Sequence, residues 1–526
     1  MKRELLRSSP TRRATVLLVV LVVIVLLALA AYTLVEMCVA ENEASNRFGR
    51  SAQARAFAES GIDMAITLLS DPTERLQPDF ATSRPDALSA VLMRQSDVPR
   101  GRGRFSVVAG DTNDATSKAV RFGLTDESGK LNLNSLVSWQ ANSALSLTDA
   151  TARNFLLNLP YMTNDLADSI LDFIDADDTA RQYGAESDYY TTLSPPYRAA
   201  NGPLQSLDDL LLVKGVTPAL LFGEDLNRNG VMDPGEDANG DGVFDRGWSA
   251  YLTVNSAERN VQQDGSSRIN VNQTDLPALY DAIVGTLGDK QAQYIVAYRM
   301  YGPASTGNPS PGKQPATPSN ANKTTGPTVL RGGLQLPMPP STGSHTITSL
   351  YQLIGGSVQV KGQRRPMTSP FLSAQTQIAS YLPEMLDKLS LSDDLFVKGR
   401  INVNKAPIQI LLGLPKMTEQ MATQIVAAQT SGSTTLTTNT QSPRATNAWL
   451  VTEGVCSATT MQSLDPYLTS RGDIYRVQSV GFFDQGGPVV RLEAIVDAAV
   501  QPPRILNLRD LSELGRGFTP QQLGVP

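Results

Sequence analysis

Twelve residues with the sequence DLNRNGVMDPGE, at positions 225–236, place oxygen-bearing side chains around a central glycine. They match the pattern D-x-[DN]-x-[DN]-G-x5-E, which wraps oxygen ligands around a hard cation, and Gly230 permits the sharp turn in its middle. The predicted ligands, one through its backbone carbonyl, are Asp225, Asn227, Asn229, Val231, Asp233 and Glu236. Because calcium tolerates an irregular, oxygen-rich shell, we predict calcium here in preference to a plain Asx–glycine turn.

A second loop, DANGDGVFDRGW, begins at the next residue and occupies positions 237–248. Its predicted, weaker ligands are Asp237, Asn239, Asp241, Val243 and Asp245. Trp248 stands where the pattern needs its last carboxylate, and an indole ring offers no oxygen, so a second calcium must take one from elsewhere. Since the two loops abut, no helix fits between them. We therefore expect calcium to hold this loop in one conformation. We do not expect it to open a hydrophobic groove, as calcium does in paired EF-hand sensors.

Other residues with chemical potential are few. An acidic run, interpreted as a solvated helix end with a further cation site as the alternative, contains Asp172, Asp175, Asp177, Asp178, Glu186 and Asp188. The one histidine, His345, excludes catalytic triads and metal sites built from several histidines. The two cysteines, Cys38 and Cys456, are too few and too far apart for a disulfide framework. We predict that the protein is not an enzyme.

A repeated five-residue phrase marks the elements around these residues. RINVN occurs at 268–272 and again at 400–404, and the near copy KLNLN occurs at 130–134. Apolar residues alternate with asparagine in each copy, which predicts a short extended run that an asparagine ends where a helix starts. Each copy is followed by a helical pattern, a turn with glycine or proline, and a second helical pattern. The phrase therefore opens three predicted helix–turn–helix units.

The N-terminal region predicts one long helix. Residues 16–35, VLLVVLVVIVLLALAAYTLV, carry no charge, and a helix of that length spans roughly 30 Å, the thickness of a bilayer core. An apolar stripe follows at helical spacing, formed by Ala54, Ala58, Ile62, Ala65 and Leu69. A secretory signal peptide or a simple anchor would not continue in this way, so we predict a rod of about fifty residues. The basic residues before position 14 orient its N-terminus toward the cytoplasm.

Strand patterns lie near both ends of the chain. Short β-rich runs at 104–109 and 118–124 precede the first repeated phrase, and runs at 474–483 and 489–498 flank a Gly-Gly turn. Helical patterns fill most of the chain between them, which predicts one sheet interrupted by a large helical insertion. Residues 72–100 are punctuated by proline and aspartate and are predicted to be irregular. Residues 302–344, rich in Pro, Gly, Ser and Thr, are predicted to form a flexible excursion.

Three segments resemble a known family. AQARAFAESGIDMA, within the predicted rod, resembles the N-terminal helix of K-class minor pseudopilins of type II secretion systems. LDFIDADDTARQYGAESDYY and the later SLDDLLLVKGV resemble two further motifs of that family, the general secretion pathway protein K family, in the same order. The resemblance implies an α+β fold with a long N-terminal pilin-type helix, a small antiparallel sheet and a large helical insertion, SAM-like or helix–hairpin–helix-like.

The resemblance and the patterns together predict how the chain is divided. The predicted parts are a cytoplasmic leader at 1–14, a transmembrane and amphipathic pilin helix at 15–70, pilin-type strands at 100–130, a helical insertion with the calcium loops at 131–301, the flexible excursion at 302–344, a second helical part at 345–470, C-terminal strands at 473–499 and a tail at 500–526. A prepilin peptidase removes such leaders, and the best junction here is Ala14–Thr15, although family leaders usually end in glycine. Cleavage there would put Val19 at the fifth mature position, where most pilins, but not the K class, carry glutamate.

For function, the resemblance implies a minor pseudopilin that caps the pseudopilus tip with the I- and J-class minor pseudopilins and acts by assembly. The expected partners are these pseudopilins, the pseudopilus, the membrane and the prepilin peptidase. The expected location is the bacterial inner membrane, crossed once, with a cytoplasmic N-terminus and most of the chain in the periplasm.

Two alternatives stay open at this point. A membrane-tethered DNA-binding protein of an uptake or pilus machine would use helix–hairpin–helix units, but DNA binding favours basic hairpins in a basic domain. The net charge is −6 although the first thirteen residues are basic, and the predicted hairpins NLPYMTND, VGTLGDK and LGLPKMTE are acidic or neutral. We therefore predict no nucleic-acid partner. The other alternative, a calcium-stabilised surface adhesin, would bind partners without pilin subunits.

Overall fold

The computed structural model describes residues 11–71, 80–110, 119–141, 148–304, 327–338, 343, 345–430 and 444–525. Its first element is α1, Thr11–Ser70, a single helix of 60 residues. At about 1.5 Å per residue it is roughly 90 Å long. The helix is unbroken between Ala31 and Ala54, which confirms the predicted rod.

The first half of α1 is the apolar part of the rod. Every side chain from 16 to 48 is exposed. Among the described residues this is the one helix that is long and apolar enough to cross a membrane. The junction Ala14–Thr15 lies in the first turns of α1, and residues 1–10 of the predicted leader lie outside the described residues.

The other elements of the described chain are short. The α-helices α2 to α14 are, in order, Pro85–Leu88, Leu133–Ala141, Asp149–Leu157, Asn164–Ile174, Ser187–Tyr190, Pro218–Phe222, Leu276–Thr286, Asp289–Tyr301, Gln375–Lys388, Ile408–Leu412, Glu419–Thr430, Trp449–Thr452 and Ala458–Leu464. The strands β1 to β19 are Val91–Arg94, Gly103–Gly110, Val120–Phe122, Thr125–Asp126, Leu131–Asn132, Leu252–Thr253, Ala257–Arg259, Ile269–Asn270, Thr328–Arg331, Leu334–Pro337, Ser357–Val358, Met367–Thr368, Leu389–Ser390, Phe396–Lys398, Ile401–Asn402, Leu468–Thr469, Ile474–Phe483, Val490–Asp497 and Arg504–Asp510. Short 3-10 helices are Pro99–Gly101, Glu127–Gly129, Leu207–Leu212, Trp248–Ala250, Leu350–Leu353, Asp465–Tyr467 and Ser512–Leu514.

One seven-stranded sheet joins distant parts of the chain. Its main path is β1-β2-β17-β18-β19, all antiparallel, with β3 added to β2 and β4 added to β17. The central strand β17 pairs with β2 from Gln478↔Val108 to Phe483↔Gly103. The C-terminal hairpin β17–β18 therefore meets the strands that precede Lys130, which confirms the prediction of one sheet interrupted by an insertion.

The second half of α1 packs across this sheet. Its contact face is the predicted apolar stripe, whose members are at most 3% exposed: Ala54, Ala58, Ile62, Ala65 and Leu69. Gly481 of β17 lies so close to α1 that a Cβ atom there would overlap the main chain at Ala54. The long helix, this antiparallel sheet and the helices inserted between its strands form the predicted α+β fold.

The sheet also contains two strands that were not predicted. Residues 72–100 were predicted to be irregular, which is wrong for their described part, because it contains α2 and β1. The tail contributes β19, which pairs with β18 along its length. β1 has only four residues, and its extended shape depends on pairing with β2. Such a strand carries too little local pattern to be recognised alone.

The insertion between β4 and β17 contains three units, each opened by one copy of the repeated phrase. The phrase forms the first strand of a parallel pair, and the second strand comes from YLTVN at 251–255, KLSLS at 388–392 or YLTSR at 467–471. The pairs are β5–β6, β8–β13 and β15–β16. Each unit contains a helical hairpin as predicted, namely α4–α5, α8–α9 and α11–α12. The partner phrases form a second repeat that was not predicted.

The prediction that an asparagine ends each extended run is confirmed, because Asn132, Asn270 and Asn402 each accept the backbone N–H two residues ahead, at 2.8 to 3.1 Å, and α3 begins directly after Asn132. The last asparagine of each copy, Asn134, Asn272 or Asn404, donates its side-chain amide to two backbone carbonyls at 2.8 to 3.0 Å. For Asn272 these carbonyls belong to Ile347 and Leu391, far along the chain. The last asparagine therefore closes each unit, and the helices α4 and α8 are capped by Thr148 and Asp275 instead.

Most of the predicted excursion at 302–344 lies outside the described residues. Its described part includes the hairpin β9–β10. Leu334 and Leu336 of that hairpin are buried in the core of the insertion. This core and the one between α1 and the main sheet are separate clusters of buried side chains.

Candidate metal centre

The first predicted calcium loop follows α7 and turns sharply at its central glycine. Gly230 has a φ of +78°, the left-handed conformation that the sixth position of such a loop requires. The turn brings the backbone N–H groups of Asn229 and Gly230 to 2.9 and 3.0 Å from the two carboxylate oxygens of Asp225. The first predicted ligand is thus held at the start of the turn.

The remaining side-chain ligands of this loop converge on one another. The amides of Asn227 and Asn229 donate to the same oxygen of Asp233, at 2.6 and 2.8 Å. Glu236 accepts from the backbone N–H of Asp233 at 2.9 Å and from that of Asn227 at 3.4 Å. The structure therefore brings Asn227, Asn229, Asp233 and Glu236 together, and Val231, which lies between them in the sequence, is buried.

The chemistry of this loop fits a cation. The side-chain oxygen of Asn227 is buried and has no hydrogen-bond partner, which is uncommon in folded proteins unless an ion or a water lies close. Burial, with Glu236 nearby, raises the pKa of Asp225 to about 6. A divalent cation would satisfy the orphaned oxygen and favour the ionised form of the carboxyl group.

Long-range contacts connect this loop to the main sheet. Arg491 of β18 is fully buried and donates to the backbone carbonyls of Asn227 and Arg228, at 2.9 and 3.3 Å. Gln478 of β17 also donates to the Arg228 carbonyl, at 2.9 Å. The loop lies where the insertion meets the sheet, so ordering the loop would hold the two together.

The second predicted loop has similar turn chemistry and is more exposed. Asp237 accepts from the N–H groups of Gly240 and Gly242, at 2.7 and 3.1 Å. Asn239 and Asp241 each accept from the N–H group two residues ahead, at 2.9 and 2.7 Å. Positions 239, 241 and 243 are exposed, whereas 237 and 245 are half-buried. The loop therefore has a series of tight turns around its aspartate and asparagine side chains but lacks an acid at its own last position.

A glutamate outside the second loop takes the place of that acid. The buried Trp248 ring donates its N–H to the Pro160 carbonyl at 2.8 Å and offers the loop no ligand. The carboxylate of Glu224 instead accepts from the N–H groups of Ala238 and Asp245, at 2.9 and 3.2 Å. Asp245 is the ninth residue of its loop, and Glu236 makes the same contact with the ninth residue of the first loop.

Glu224 was not predicted, although two signals pointed to it. The second loop needed an oxygen from elsewhere, and Glu224 directly precedes Asp225 in the sequence. The fold then brings Glu224 beside Asp245, because its backbone N–H donates to the Asp245 carbonyl at 2.7 Å. That pairing across the first loop could not be read from spacing alone.

The acidic run that starts in the last turn of α5 is a solvated helix end only in part. Positions 177, 178 and 188 are exposed. Asp172, Asp175 and Glu186 are buried, and one oxygen of each lies within 4.8 Å of the others, so the interpretation is wrong for these three. Burial and the neighbouring carboxylates of Asp172 and Asp175 raise the pKa of Glu186 to about 7.

Comparisons with known proteins converge on one family. A family model described as type II secretion system (T2SS), protein K, matches residues 129–222, from the first repeated phrase through α7. A curated protein of Escherichia coli (strain K12), named "Putative type II secretion system protein K", is 34% identical over 104 residues, which are 19% of this chain and 32% of that protein. The match thus spans about a third of the relative's length.

A solved structure is similar over a longer stretch but at lower identity. It is the crystal structure of the GspK-GspI-GspJ complex from the type 2 secretion system of enterotoxigenic Escherichia coli. One of its chains is 12% identical to this chain, with a TM-score of 0.32, over 89% of this chain and 99% of that chain. The calcium loops lie just beyond the residues that the family model matches.

Proposed function

We propose that this chain is a member of the type II secretion system protein K family, whose model matches residues 129–222, and that it caps the pseudopilus tip and acts by assembly without catalysis. One observation carries the proposal. The helix α1 continues without a break from an exposed apolar half into a half that packs on the chain's own sheet. A rod of this kind can pack beside other apolar rods while its own head stays attached.

The large insertion is the reason for proposing a position at the tip. The insertion between β4 and β17 comprises more than half of the chain and has its own core. A subunit that carries such a mass beside its sheet leaves no room for the sheet of a subunit above it. The fibre would therefore grow only from below this subunit.

The partners and the location follow from the same proposal. The I- and J-class minor pseudopilins would pack against the exposed apolar half of α1, and the prepilin peptidase would cleave at Ala14–Thr15. The rod would cross the bacterial inner membrane once, with its N-terminus in the cytoplasm and the head in the periplasm. A DNA-binding function is not favoured, because the helical hairpins are acidic or neutral.

Photo-crosslinking of the full chain in native membranes tests the assembly. A photoreactive residue at Met37, which is 67% exposed on α1, should form adducts with pilin-type chains that mass spectrometry identifies. The matched control is Leu330, 65% exposed on β9 in the insertion, where no pilin-helix adduct is expected. Adducts at Met37 with lipid or unrelated proteins alone, or co-purified DNA that is released by salt, would contradict the proposal.

We further propose that both loops bind calcium. Asp225, Asn227, Asn229, Asp233 and Glu236, with the Val231 carbonyl, would hold the first ion. Asp237, Asn239, Asp241 and Asp245, with the Val243 carbonyl and the carboxylate of Glu224, would hold the second. The ions supply no reaction step. They would order the segment that Arg491 and Gln478 connect to the main sheet.

Calcium counting by equilibrium dialysis tests each loop with a conservative variant. Glu236→Gln and Glu224→Gln should each lower the number of bound calcium ions by one, because each removes one bidentate carboxylate. Glu513→Gln, an exposed position far from both loops in sequence, is the control and should bind as the wild type does. Free calcium at about 100 times its Kd should stabilise the wild type by about 2.7 kcal/mol per site relative to chelated protein. Unchanged calcium binding in Glu236→Gln would reject the first site, and in Glu224→Gln the second.

A further inference from the structure

A cavity of about 390 Å³ lies where the three units of the insertion meet, and none of residues 224–248 lines it. Ser138 of the first unit, Ser390 of the second and Thr469 of the third all contribute to its wall. Two further residues of the wall are Arg268 and Arg400, which are the first residues of the two RINVN phrases. The repeat therefore directs two equivalent arginines into one cavity.

The first copy of the phrase neutralises its leading cation, and the other two copies do not. In KLNLN, Lys130 Nζ lies 2.9 Å from the carboxylate of Glu127, three residues earlier. The corresponding positions before the two RINVN copies hold a glycine and a valine, which carry no charge. Arg268 pairs with no carboxylate of the described residues, and its Nε donates instead to the backbone carbonyl of Asp387 at 3.2 Å. The cavity therefore receives a guanidinium group whose charge has no partner of its own.

One carboxylate of the wall serves two other guanidinium groups at a distance. Glu258 of β7 is 3% exposed, and its Oε1 lies 3.6 Å from Nη1 of Arg400 and its Oε2 3.8 Å from Nε of Arg471. Both distances are too long for hydrogen bonds, and Glu258 accepts instead from the Thr469 hydroxyl at 2.6 Å. Burial, with Arg471 and Arg400 nearby, lowers the pKa of Arg268 to about 10, so Arg268 is still charged at neutral pH.

The other charged groups near the cavity do not balance these arginines. The carboxylate of Asp387 lies 3.8 Å from Lys388 Nζ. Asp465 is buried in the wall and accepts from a serine hydroxyl at 2.8 Å, and burial raises its pKa. Asp394 and Lys398 are both exposed at the cavity, where water screens their charges. Positive charge beside Arg268 and Arg400 therefore stays incompletely compensated.

We propose that the cavity binds a small oxyanion between Arg268 and Arg400. A guanidinium group presents its N–H donors in a planar fork that fits the oxygens of a carboxylate or of a tetrahedral oxyanion such as phosphate. An anion there would balance the charge that Glu258 leaves uncompensated. It would also fasten the second unit of the insertion to the third through their equivalent arginines. The site is separate from both predicted calcium loops, and it does not depend on assembly at the pseudopilus tip.

Ordered water is the competing account of the cavity. Water molecules can hydrate both guanidinium groups, and Glu258 can stabilise them at a distance without any anion. The two accounts differ in the response to added anions at constant ionic strength, because a cavity filled by water alone shows no saturable binding. They also differ in the effect of Arg268→Gln, since glutamine keeps N–H donors for water but has no charge for an anion.

Isothermal titration calorimetry of the full chain in detergent, in chloride buffer of constant ionic strength, tests the site. Sulfate, the tetrahedral probe, and acetate, the planar one, are titrated separately, and at least one of them should bind saturably. Arg268→Gln should weaken that binding by about tenfold, because it removes charge-assisted hydrogen bonds. The matched control is Arg365→Gln, an exposed arginine outside the cavity wall, which should bind as the wild type does. Circular dichroism confirms that each variant is folded, and Arg400→Gln replaces Arg268→Gln if the latter is not.

The outcomes separate the accounts. Saturable binding that Arg268→Gln weakens and Arg365→Gln does not supports the site, and the probe that binds more tightly gives the geometry of the anion. No saturable binding of either probe, or equal binding by the wild type and Arg268→Gln, overturns the proposal in favour of water. An equal loss with Arg365→Gln would indicate a general effect of charge and would also overturn it. None of these results bears on photo-crosslinking at Met37, so this proposal and the assembly proposal can fail independently.

Discussion

Replacing Gly481 with valine should detach α1 from the main sheet and lower the free energy of unfolding by about 3 kcal/mol or more. Gly481 lies on the central strand β17 beneath the helix. A Cβ atom at this position would overlap the carbonyl oxygen of Ala54 and lie 2.6 Å from the backbone nitrogen of Ala58. Both clashes are with the main chain of a regular helix, so no side-chain rotation can relieve them, and the helix itself must move.

Moving the helix away from the sheet would cost free energy, because glycines on both the strand and the helix allow the close contact. Gly61 of α1 faces Ser479 of β17 and Phe105 of β2, where an added Cβ atom would also meet close neighbours. Thermal unfolding of the full chain in detergent, followed by circular dichroism, measures the effect. Gly49→Val is the matched control, because a Cβ atom at Gly49 in the same helix meets nothing within 4 Å. Equal unfolding temperatures for the two variants would contradict close packing between helix and sheet.

The parts of the fold that local periodicity encodes were predictable. The spacing of Ala54, Ala58 and Ile62 marks one face of a helix, and that face is the one buried on the sheet. The turns of the two predicted calcium loops are similar, since the side chains and N–H groups that form them lie within a few residues of one another. The apolar stretch at residues 16–35 is likewise long enough to predict a helix without other information, and it lies within α1.

The parts that depend on distant pairing were not predictable in detail. β5 and β6 have two residues each and pair in parallel although about 120 residues separate them. A strand of two residues has no periodicity to detect. The second repeat is therefore recognisable in the sequence only as a similarity among YLTVN, KLSLS and YLTSR. The role of Asn272 was not predicted for the same reason, because its side-chain amide bonds the backbone carbonyls of the distant residues Ile347 and Leu391. Glu224 belongs to this group too, because backbone pairing carries it to the second loop.

Burial of charge is a further property that spacing did not reveal. Asp172, Asp175 and Glu186 have the composition of an exposed helix end, yet they pack inside the insertion. The contact between the insertion and the main sheet also contains charges on both sides. Arg491 donates to a backbone carbonyl of the first predicted calcium loop there, and Arg476 of β17 donates to Glu127 in the 3-10 helix that leads into the first repeated phrase. The insertion is therefore attached to the main sheet through buried polar contacts as well as through the covalent connections.

Another of these polar contacts is centred on Glu127, which is fully buried. Its Oε1 lies 2.9 Å from Lys130 Nζ and 2.9 Å from Arg476 Nε, and Arg476 also lies 3.1 Å from Glu493. Glu127→Gln would remove the negative charge that pairs with Lys130 and Arg476. Both cations would then lack this partner in a site that excludes water. Breaking a buried charge network in this way costs about 3 to 5 kcal/mol, so we expect a loss of that size in the free energy of unfolding.

The control for this variant is an exposed ion pair. Glu43 pairs with Arg47 at 3.9 Å on the surface of α1, where both side chains are mostly exposed. Glu43→Gln should change the free energy of unfolding by less than about 1 kcal/mol, since water screens such pairs. Denaturant unfolding of both variants beside the wild type provides the comparison, and similar losses for the two variants would show that the network at Glu127 contributes nothing special.

The contribution of Glu127 should also depend on pH with a defined sign. Burial by itself would raise its pKa, but Arg476 and Lys130 outweigh burial and lower the pKa from 4.5 to about 2. A carboxyl group whose pKa is lower in the folded state stabilises the fold above its unfolded pKa and loses that effect as it becomes protonated. The difference in unfolding free energy between the wild type and Glu127→Gln should therefore be constant above about pH 5 and shrink between about pH 4.5 and pH 2. A difference that instead grew as the pH fell would mean that Glu127 is protonated in the folded protein, and the buried ion pairs would not exist.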